Sequence, residues 1–139
     1  MPSTAREIMS SGVDCIGENE TVAEAARKMA QLGVGALPIC GEDDRLKGMI
    51  TDRDITVKVV AEGKDPNTCR AGELAQGKPV TIGADDTLEE LVRTMAQHEV
   101  KRVPVIDGHR LVGVVSESDV AAAAPQDLVV KLVRGVYAD

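Results

Sequence analysis

The sequence predicts an α/β (α+β) fold in which two similar repeats, each strand–helix–strand–strand–helix, pack with pseudo-two-fold symmetry. Three observations predict it. A long segment of the chain occurs twice, a short glycine-to-aspartate motif recurs in each copy, and apolar residues follow first a helical and then a strand-like spacing. The length of 139 residues is that of one domain-sized chain.

The duplication is the clearest of these observations. The segment TVAEAARKMAQLGVGALPI at Thr21–Ile39 aligns without gaps with TLEELVRTMAQHEVKRVPV at Thr87–Val105. Identical residues in the first copy are Thr21, Glu24, Arg27, Met29, Ala30, Gln31, Val34 and Pro38. A repeat of this length indicates that the chain is built from two copies of one supersecondary unit.

Each copy is predicted to begin with a short strand and a helix. Thr21 and Glu24 have the spacing of a capping box, as do Thr87 and Glu90, so both helices have a marked start. Gly33 suits the left-handed residue that ends the first helix. Apolar residues at helical spacing give each helix a buried face, namely Val22, Ala25, Ala26 and Met29 in the first and Leu88, Leu91, Val92 and Met95 in the second.

A hairpin and a second helix are predicted to complete each copy. The strands ALPIC and LKGMIT are joined by an acidic turn, and RVPVI and LVGVVS are joined at Asp107-Gly108. Helices are expected to follow from Asp52 to Ala61 and from Glu117 to Ala124.

The predicted boundaries place the two copies at residues 1–61 and 69–124, with the polar segment 62–68 as the linker. Residues 125–139 are predicted to form a C-terminal helix, because apolar residues recur there at helical spacing. These are Leu128, Val129, Leu132, Val133 and Val136. We expect this helix to dock on the protein's own body; a self-association surface and a membrane surface are the alternatives.

The composition argues against several classes of partner. A net charge of −7 repels polyanions, so neither nucleic acid nor an anionic membrane is expected. There is no Trp or Phe and only one Tyr, so nucleic-acid bases have no stacking platform. The start of the chain lacks a basic region followed by an apolar one, and no apolar run approaches about eighteen residues. We therefore expect a cytoplasmic protein without a signal peptide or a membrane span.

The repeated motif reads GMITDRDI in the first copy and GVVSESDV in the second, at the junction of a strand and a helix. It places Thr51 three residues before Asp54, and Ser116 three residues before Asp119. A carboxylate there can accept hydrogen bonds from both hydroxyls of a ribose, while the hydroxyl residue and the helix amides can bind sugar or phosphate oxygens. A capping box is the structural alternative. The doubling of the motif favours binding, and the two roles can coexist.

A proline stands in the first hairpin strand of each copy, at Pro38 and Pro104. Because proline cannot donate to a ladder, the backbone beside it at residues 35–37 and 101–103 is predicted to lack strand partners. A planar heterocycle such as adenine carries the donors and acceptors that would satisfy these groups.

The apolar–Pro–apolar strand, the turn and the Gly-h-h-[Thr/Ser]-x-x-Asp motif, present twice, resemble the tandem CBS-domain (cystathionine β-synthase domain) family, the Bateman module. The resemblance covers about Thr4–Ala124, and within the family the chain is similar to the small stand-alone CBS-pair proteins of actinobacteria. It implies a regulatory sensor of adenosine-containing ligands (AMP, ADP, ATP or S-adenosylmethionine), with a role in a hypoxic or stress response. It also implies a homodimer that is not an enzyme and that acts through an unidentified protein partner or a change in assembly.

The resemblance further implies two binding sites. In this family each cleft takes its strand backbone from one repeat and its hydroxyl and aspartate from the other. One site would combine residues 34–37 with Ser116 and Asp119, and the other would combine residues 100–103 with Thr51 and Asp54. The strand residues are Val34, Gly35, Ala36, Leu37, Val100, Lys101, Arg102 and Val103.

The two sites are not expected to be equal. Lys101 and Arg102 stand beside the second strand, whereas Gly35 and Ala36 hold the equivalent places beside the first. Phosphate favours cations and arginine binds it with a bidentate fork, so the site with Lys101, Arg102 and Arg53 is predicted to be the better phosphate site. The alternative is that these basic side chains face solvent or pair with nearby acids.

The remaining polar residues give weaker signals. Cys15 and Cys40 lie on strands predicted to be neighbours, which leaves open an intramolecular disulfide or the free thiols typical of a reducing cytosol. His98 and His109 lack a third ligand at metal spacing, so neither a metal site nor a required cofactor is expected. No acid–base or nucleophile arrangement is recognisable, so no catalytic residue is predicted. A CBS-scaffold interaction or stress protein with empty or degenerate pockets is the alternative function.

Overall fold

The computed structural model describes residues 2–75 and 79–138, which divide into two compact units. The first unit is Asp14–Pro79, and the second unit joins Met1–Val13 to Val80–Asp139. The N-terminal segment therefore lies in the same unit as the second sequence repeat, so the spatial division differs from the division between repeats in the sequence. This segment contains a short helix α1 (Ala5–Ile8) and a two-residue strand β1 (Ser10–Ser11).

The first unit follows the predicted order of strand, helix, strand, strand and helix. Its elements are β2 (Ile16–Gly17), α2 (Val22–Leu32), β3 (Ala36–Cys40), β4 (Leu46–Thr51), α3 (Asp52–Asp54), a π-helix (Ile55–Val60) and a 3₁₀ helix (Ala71–Leu74). The sheet has the order β2-β3-β4, in which β3 is parallel to β2 and antiparallel to β4. Ile16, Val22, Ile39 and Ile50 are fully buried at its core.

The second unit repeats this order and adds a helix. Its further elements are β5 (Ile82–Gly83), α4 (Leu88–His98), β6 (Arg102–Asp107), β7 (Arg110–Ser116), α5 (Glu117–Ala123) and α6 (Gln126–Val136). The sheet has the order β1-β7-β6-β5, so the N-terminal strand β1 pairs with the edge of the hairpin. Both copies contain the predicted elements, and the predicted class of two mixed α/β repeats is confirmed.

The helix starts follow from local capping. The Thr21 hydroxyl accepts a hydrogen bond from the Glu24 backbone N–H, and the Glu24 carboxylate accepts one from the Thr21 backbone N–H. The hydrogen bonds that the Glu24 carboxylate accepts from the backbone N–H and then the hydroxyl of Thr21 lower its pKa. In the second unit the Thr87 hydroxyl accepts from the Glu90 backbone N–H at 3.1 Å. Both predicted helix starts are therefore correct, although only the first has the complete capping box and the second has the hydroxyl cap alone.

The second helix of the first unit differs from the expected regular helix. It continues from α3 as a π-helix, in which the Ala61 N–H donates to the Thr56 carbonyl, five residues earlier. Its sequence ITVKVV is rich in β-branched side chains, which crowd the preceding turn of an α-helix. The equivalent α5, ESDVAAA, is rich in alanine and is a regular α-helix.

The C-terminal helix α6 packs against α4, as expected for a helix docked on the protein's own body. Leu128, Leu132 and Val136 are buried there, whereas Val133, predicted on the same stripe, is 45% exposed. The predicted helical segment ended at residue 139, which lies outside the described residues. Among the residues that are described, no helix is long and apolar enough to cross a membrane.

Candidate functional site

In the first unit the repeated motif forms a closed capping box. Thr51 ends β4, and its hydroxyl accepts a hydrogen bond from the Asp54 N–H at 3.0 Å. Oδ2 of Asp54 accepts the Thr51 N–H, also at 3.0 Å, while Oδ1 lies 3.2 Å from Nζ of Lys58. Both carboxylate oxygens of Asp54 therefore contact groups of its own repeat.

The second unit has the same box but leaves one carboxylate oxygen available. The Ser116 hydroxyl accepts from the Asp119 N–H at 3.2 Å, and Oδ2 of Asp119 accepts the Ser116 N–H at 2.8 Å. Among the hydrogen bonds and ion pairs of residues 2–75 and 79–138, none involves Oδ1 of Asp119. The equivalent of Lys58 is Ala123, which cannot form an ion pair. The structural alternative, helix capping, is thus present in both copies, and it occupies only one carboxylate oxygen in the second.

The glycine of the second motif has a packing role. A Cβ at Gly113 would lie 2.6 Å from the carbonyl oxygen of Ser10 and 2.6 Å from Sδ of Met9. Gly113 pairs with Ser11 in the β1–β7 ladder, so only glycine allows the N-terminal strand to approach this closely.

The strand residues before the prolines have one free edge. In the first unit the Asp52 N–H donates to the Gly35 carbonyl at 2.9 Å, and the same register pairs Leu37 with Ile50. Hydrogen-bonded pairs alternate along an antiparallel ladder, so the backbone of Leu37 points towards β4 and that of Ala36 and Pro38 points away. On that opposite edge, the described part of β2 pairs only with Ile39 and Cys40. The N–H and carbonyl of Ala36 are therefore the groups left for a ligand.

The second unit repeats this arrangement. The Glu117 N–H donates to the Lys101 carbonyl at 2.8 Å, which directs the backbone of Val103 towards β7 and that of Arg102 away from it. The side chains of Leu37 and Val103 are fully buried in their cores. Residues 35–37 and 101–103 were expected to have backbone groups without strand partners. Only the N–H and carbonyl groups of Ala36 and Arg102 fit that expectation, because the neighbouring residues face β4 or β7.

The predicted basic residues take different positions. Lys101 is exposed, its Nζ lies 4.8 Å from the centre of the Tyr137 ring, and no ion pair of the described residues involves it. Arg102 is half-buried and Arg53 is exposed, and no ion pair of the described residues involves either one. Val34, by contrast, is largely exposed. Val100 packs at the margin of the second core.

Two neighbours of the site were not predicted. The Tyr137 hydroxyl donates to Oε1 of Glu117 at 3.2 Å, and Oε2 of Glu117 is buried without a hydrogen-bond partner among the described residues. Glu117 could have been noticed as the first helical residue after Ser116. Tyr137 stands out in the sequence as the only tyrosine, in a chain without Phe or Trp.

The cysteines divide into a pair and a single thiol. Cys15 and Cys40 form a disulfide with their Cα atoms 5.9 Å apart, at the place where β2 and β3 run side by side. Cys69 is a buried free cysteine, and burial raises the pKa of its thiol. A buried thiol of this kind is a packing residue rather than a nucleophile.

Metal ligands are not assembled within the described ranges. No group of three or more His, Cys, Asp or Glu side chains there could hold a metal ion. The expectation of no metal site stays a prediction, as does the combination of strand residues from one repeat with the acid of the other.

The fold and the doubled motif define the class of protein, and comparison with known proteins agrees. The model of the CBS domain family matches residues 5–61 and 71–125, so the chain belongs to the CBS-domain family. It is a tandem CBS regulatory module.

Particular relatives narrow the group. The chain is 50% identical to Hypoxic response protein 1 of Mycobacterium tuberculosis, over 96% of this chain and 94% of that protein. It is 38% identical to the CBS domain-containing protein YhcV of Bacillus subtilis, over 86% of this chain and 84% of that protein. The predicted resemblance is confirmed: the chain is a homologue of the hypoxic response proteins.

Solved structures agree with these relatives. The crystal structure of Hypoxic Response Protein I with two coordinated zinc ions superposes with a TM-score of 0.81 and 53% identity, over 88% of this chain and 99% of that one. The CBS domain protein TA0289 of Thermoplasma acidophilum, at 17% identity, has a TM-score of 0.86 over 98% of this chain and 77% of that one, which supports the fold alone.

Proposed function

We propose that this CBS module senses adenosine-containing ligands, of which a nucleotide such as AMP fits best, and that it regulates a partner rather than catalysing a reaction. The observation that carries the proposal is Asp119. One of its carboxylate oxygens closes the helix cap, and the other has no protein partner among the described residues. The Asp119 carboxylate is half-buried, lies at the end of a strand and has one oxygen without a protein partner among the described residues. It is therefore suited to accept a hydrogen bond from a sugar hydroxyl.

Adenine recognition would use the free strand edges. Ala36 and Arg102 each offer one backbone N–H and one carbonyl beside a proline that offers only a carbonyl. The edge of adenine presents a donor and acceptors in one plane, so a backbone edge can bind it without any special side chain. This explains why no aromatic residue is needed at the proposed sites.

Ribose recognition would use the two motif aspartates, and they differ. Asp119 has an oxygen available for a diol, whereas Asp54 must share Oδ1 with Lys58. The side chains of Lys58 and Asp54 are 31% and 22% exposed, so the Lys58 ammonium can reach solvent when it leaves Asp54. We propose that both aspartates bind sugar hydroxyls, Asp54 after Lys58 has moved.

Phosphate recognition would use Lys101, Arg102 and Arg53. Arg102 is half-buried and without an ion-pair partner among the described residues, so it can offer its guanidinium fork to phosphate oxygens. The first unit has Gly35 and Ala36 at the equivalent strand positions. A phosphorylated ligand should therefore prefer the strand of the second unit.

One observation favours the alternative function, a CBS-scaffold interaction or stress protein without an adenosyl ligand. Both motifs are complete capping boxes, so their sequences are explained by helix stability alone. Zinc also needs a test, since the solved relative at 53% identity carries two coordinated zinc ions. A ligand panel separates these functions.

The experiment is a thermal melt and calorimetric titration against adenosine, AMP, ADP, ATP, NADH, S-adenosylmethionine and ZnCl₂. A ligand present at about 100 times its Kd should stabilise the protein by roughly 2.7 kcal/mol. We expect AMP to do so, and we expect the binding site that includes Asp119 to lose at least about tenfold in affinity in Asp119→Asn, which removes one charged acceptor.

Asparagine is chosen because its side-chain oxygen can still accept the Ser116 N–H and preserve the cap. The matched control is Asp86→Asn, since Asp86 accepts the Gly83 N–H in a similar turn outside the proposed site. Binding of none of the adenosyl ligands, or equal loss in both variants, contradicts the proposal and leaves the scaffold function.

The proposed assembly is a homodimer that acts through a protein partner. Valines on the helical surfaces of both units support an interface, since Val57, Val60, Val130 and Val133 are each more than two fifths exposed. A solved relative, the CBS-CP12 protein of bloom-forming cyanobacteria, is hexameric, so larger assemblies of this fold exist.

A further inference from the structure

The only tyrosine of the chain contacts Lys101, a residue of the proposed phosphate-binding region, and the nearby Glu117. Tyr137 follows α6, and its ring lies 4.8 Å from Nζ of Lys101. Its hydroxyl donates to Oε1 of Glu117 at 3.2 Å. The ring is 52% exposed, so it is held by these two contacts rather than by burial in the core.

Lys101 and Glu117 are also joined to each other. The Glu117 N–H donates to the Lys101 carbonyl at 2.8 Å, at the point where β6 begins and β7 ends. Lys101 directly precedes Arg102, with its free backbone edge, and Glu117 directly follows Ser116 of the capping box. A ligand bound at the free backbone edge of Arg102 would therefore lie next to Lys101, which contacts Tyr137.

We propose that Tyr137 determines ligand specificity by competing with a ligand phosphate for the Lys101 ammonium. The proposal rests on the proposed function, because it requires an adenosyl ligand at the second strand. A cation–π contact at an exposed position is weaker than a charge-assisted hydrogen bond to phosphate. A phosphorylated ligand therefore draws Lys101 off the ring, whereas adenosine leaves the contact in place.

The competition links ligand chemistry to the C-terminal helix. When Lys101 leaves, the Tyr137 side chain keeps its hydrogen bond to Glu117 but loses the cation–π contact, and the end of α6 is held less firmly. Linkage makes the effect reciprocal, so docking of Tyr137 lowers affinity for phosphorylated ligands by the same factor. The end of α6 thereby reports whether the bound ligand carries a phosphate.

The first test compares AMP and adenosine by titration calorimetry in the wild-type protein and in Tyr137→Leu. Loss of the cation–π contact should tighten AMP binding by about two- to fivefold and leave adenosine unchanged. The matched control is Gln126→Leu, an exposed position at the opposite end of the same helix from Tyr137, which should change the affinity of neither ligand.

The second test observes the Tyr137 side chain directly and does not depend on the Tyr137→Leu variant. Because the chain has one Tyr, 3-fluorotyrosine labels a single site and gives one ¹⁹F signal. AMP should shift that signal, adenosine should shift it less, and Lys101→Met should abolish the difference between them.

The outcomes separate the two proposals. If the wild-type protein binds neither AMP nor adenosine, the proposed function fails and this inference fails with it. If both bind but Tyr137→Leu leaves their affinity ratio unchanged or weakens AMP, only the competition is overturned. Identical ¹⁹F shifts for the two ligands would overturn it as well, even if Tyr137→Leu does not fold.

Discussion

The first unit is closed by a covalent bond where the second unit uses noncovalent packing. Cys15 and Cys40 form a disulfide in the first, whereas the equivalent positions of the second are Thr81 and Ile106. The second unit instead gains β1 on its sheet and α6 against α4. Two copies of one sequence plan thus reach stability by different means, because the elements added at the chain termini both pack on the second copy.

The ends of the equivalent helices show the same divergence on a smaller scale. The residue after α2 is Gly33, with a φ of 67°, and the residue after α4 is Glu99, with a φ of 53°. Only glycine adopts this left-handed conformation without a steric cost. The helix stop is therefore retained by both copies, although only one copy retains the residue best suited to it.

The largest expected effect comes from the disulfide. Its partners are 25 residues apart, and closing a loop of that length stabilises a protein by about 3 kcal/mol. We expect dithiothreitol to lower the urea midpoint of the first unit and to leave the second unit unchanged, as measured by amide exchange of residues in each core. The Cys15→Ser, Cys40→Ser double variant is the control, and it should no longer respond to reductant. Equal sensitivity of both units would remove this contrast between them.

A smaller effect is expected beneath α6. The backbone of Gly135 crosses α4 so closely that a Cβ there would overlap the side chain of Ala96. Ala96→Leu should destabilise the protein by about 1–3 kcal/mol, because the gap between the helices cannot accept the added atoms. The matched variant is Ala30→Leu at the equivalent, exposed position of α2, which should stay within about 0.5 kcal/mol of wild type in thermal melts. A similar loss in both variants would mean that α6 does not press on α4.

The smallest expected effect concerns the two helix stops. Glu99→Gly should stabilise the protein by about 0.5–1 kcal/mol, because glycine relieves the left-handed strain at this position. Gly33→Ala should destabilise it by a similar amount. Chemical denaturation of the two variants checks both signs, and a destabilised Glu99→Gly would show that the Glu99 side chain contributes more than its backbone costs.

Local features of the site could be predicted from the sequence. Thr51, Asp54, Ser116 and Asp119 stand at strand-to-helix junctions as expected, since a capping box involves residues three apart. The π-helix was not predicted, because its apolar pattern resembles that of an ordinary helix and only the crowding of β-branched residues distinguishes it. The free edges at Ala36 and Arg102 required the observed register, because a shift by one residue would expose Leu37 and Val103 instead.

The sequence by itself determined the duplication, the order of elements and the helix caps, because these depend on side-chain periodicity and on contacts within a turn. Tertiary structure alone decided that the N-terminal segment joins the second copy and that Tyr137 contacts Lys101, and it decided between the disulfide and the free thiols that the sequence left open for Cys15 and Cys40. These contacts join residues far apart in the chain. The residues that meet in such contacts are determined by how whole helices and strands pack, and this packing cannot be predicted from a local sequence pattern.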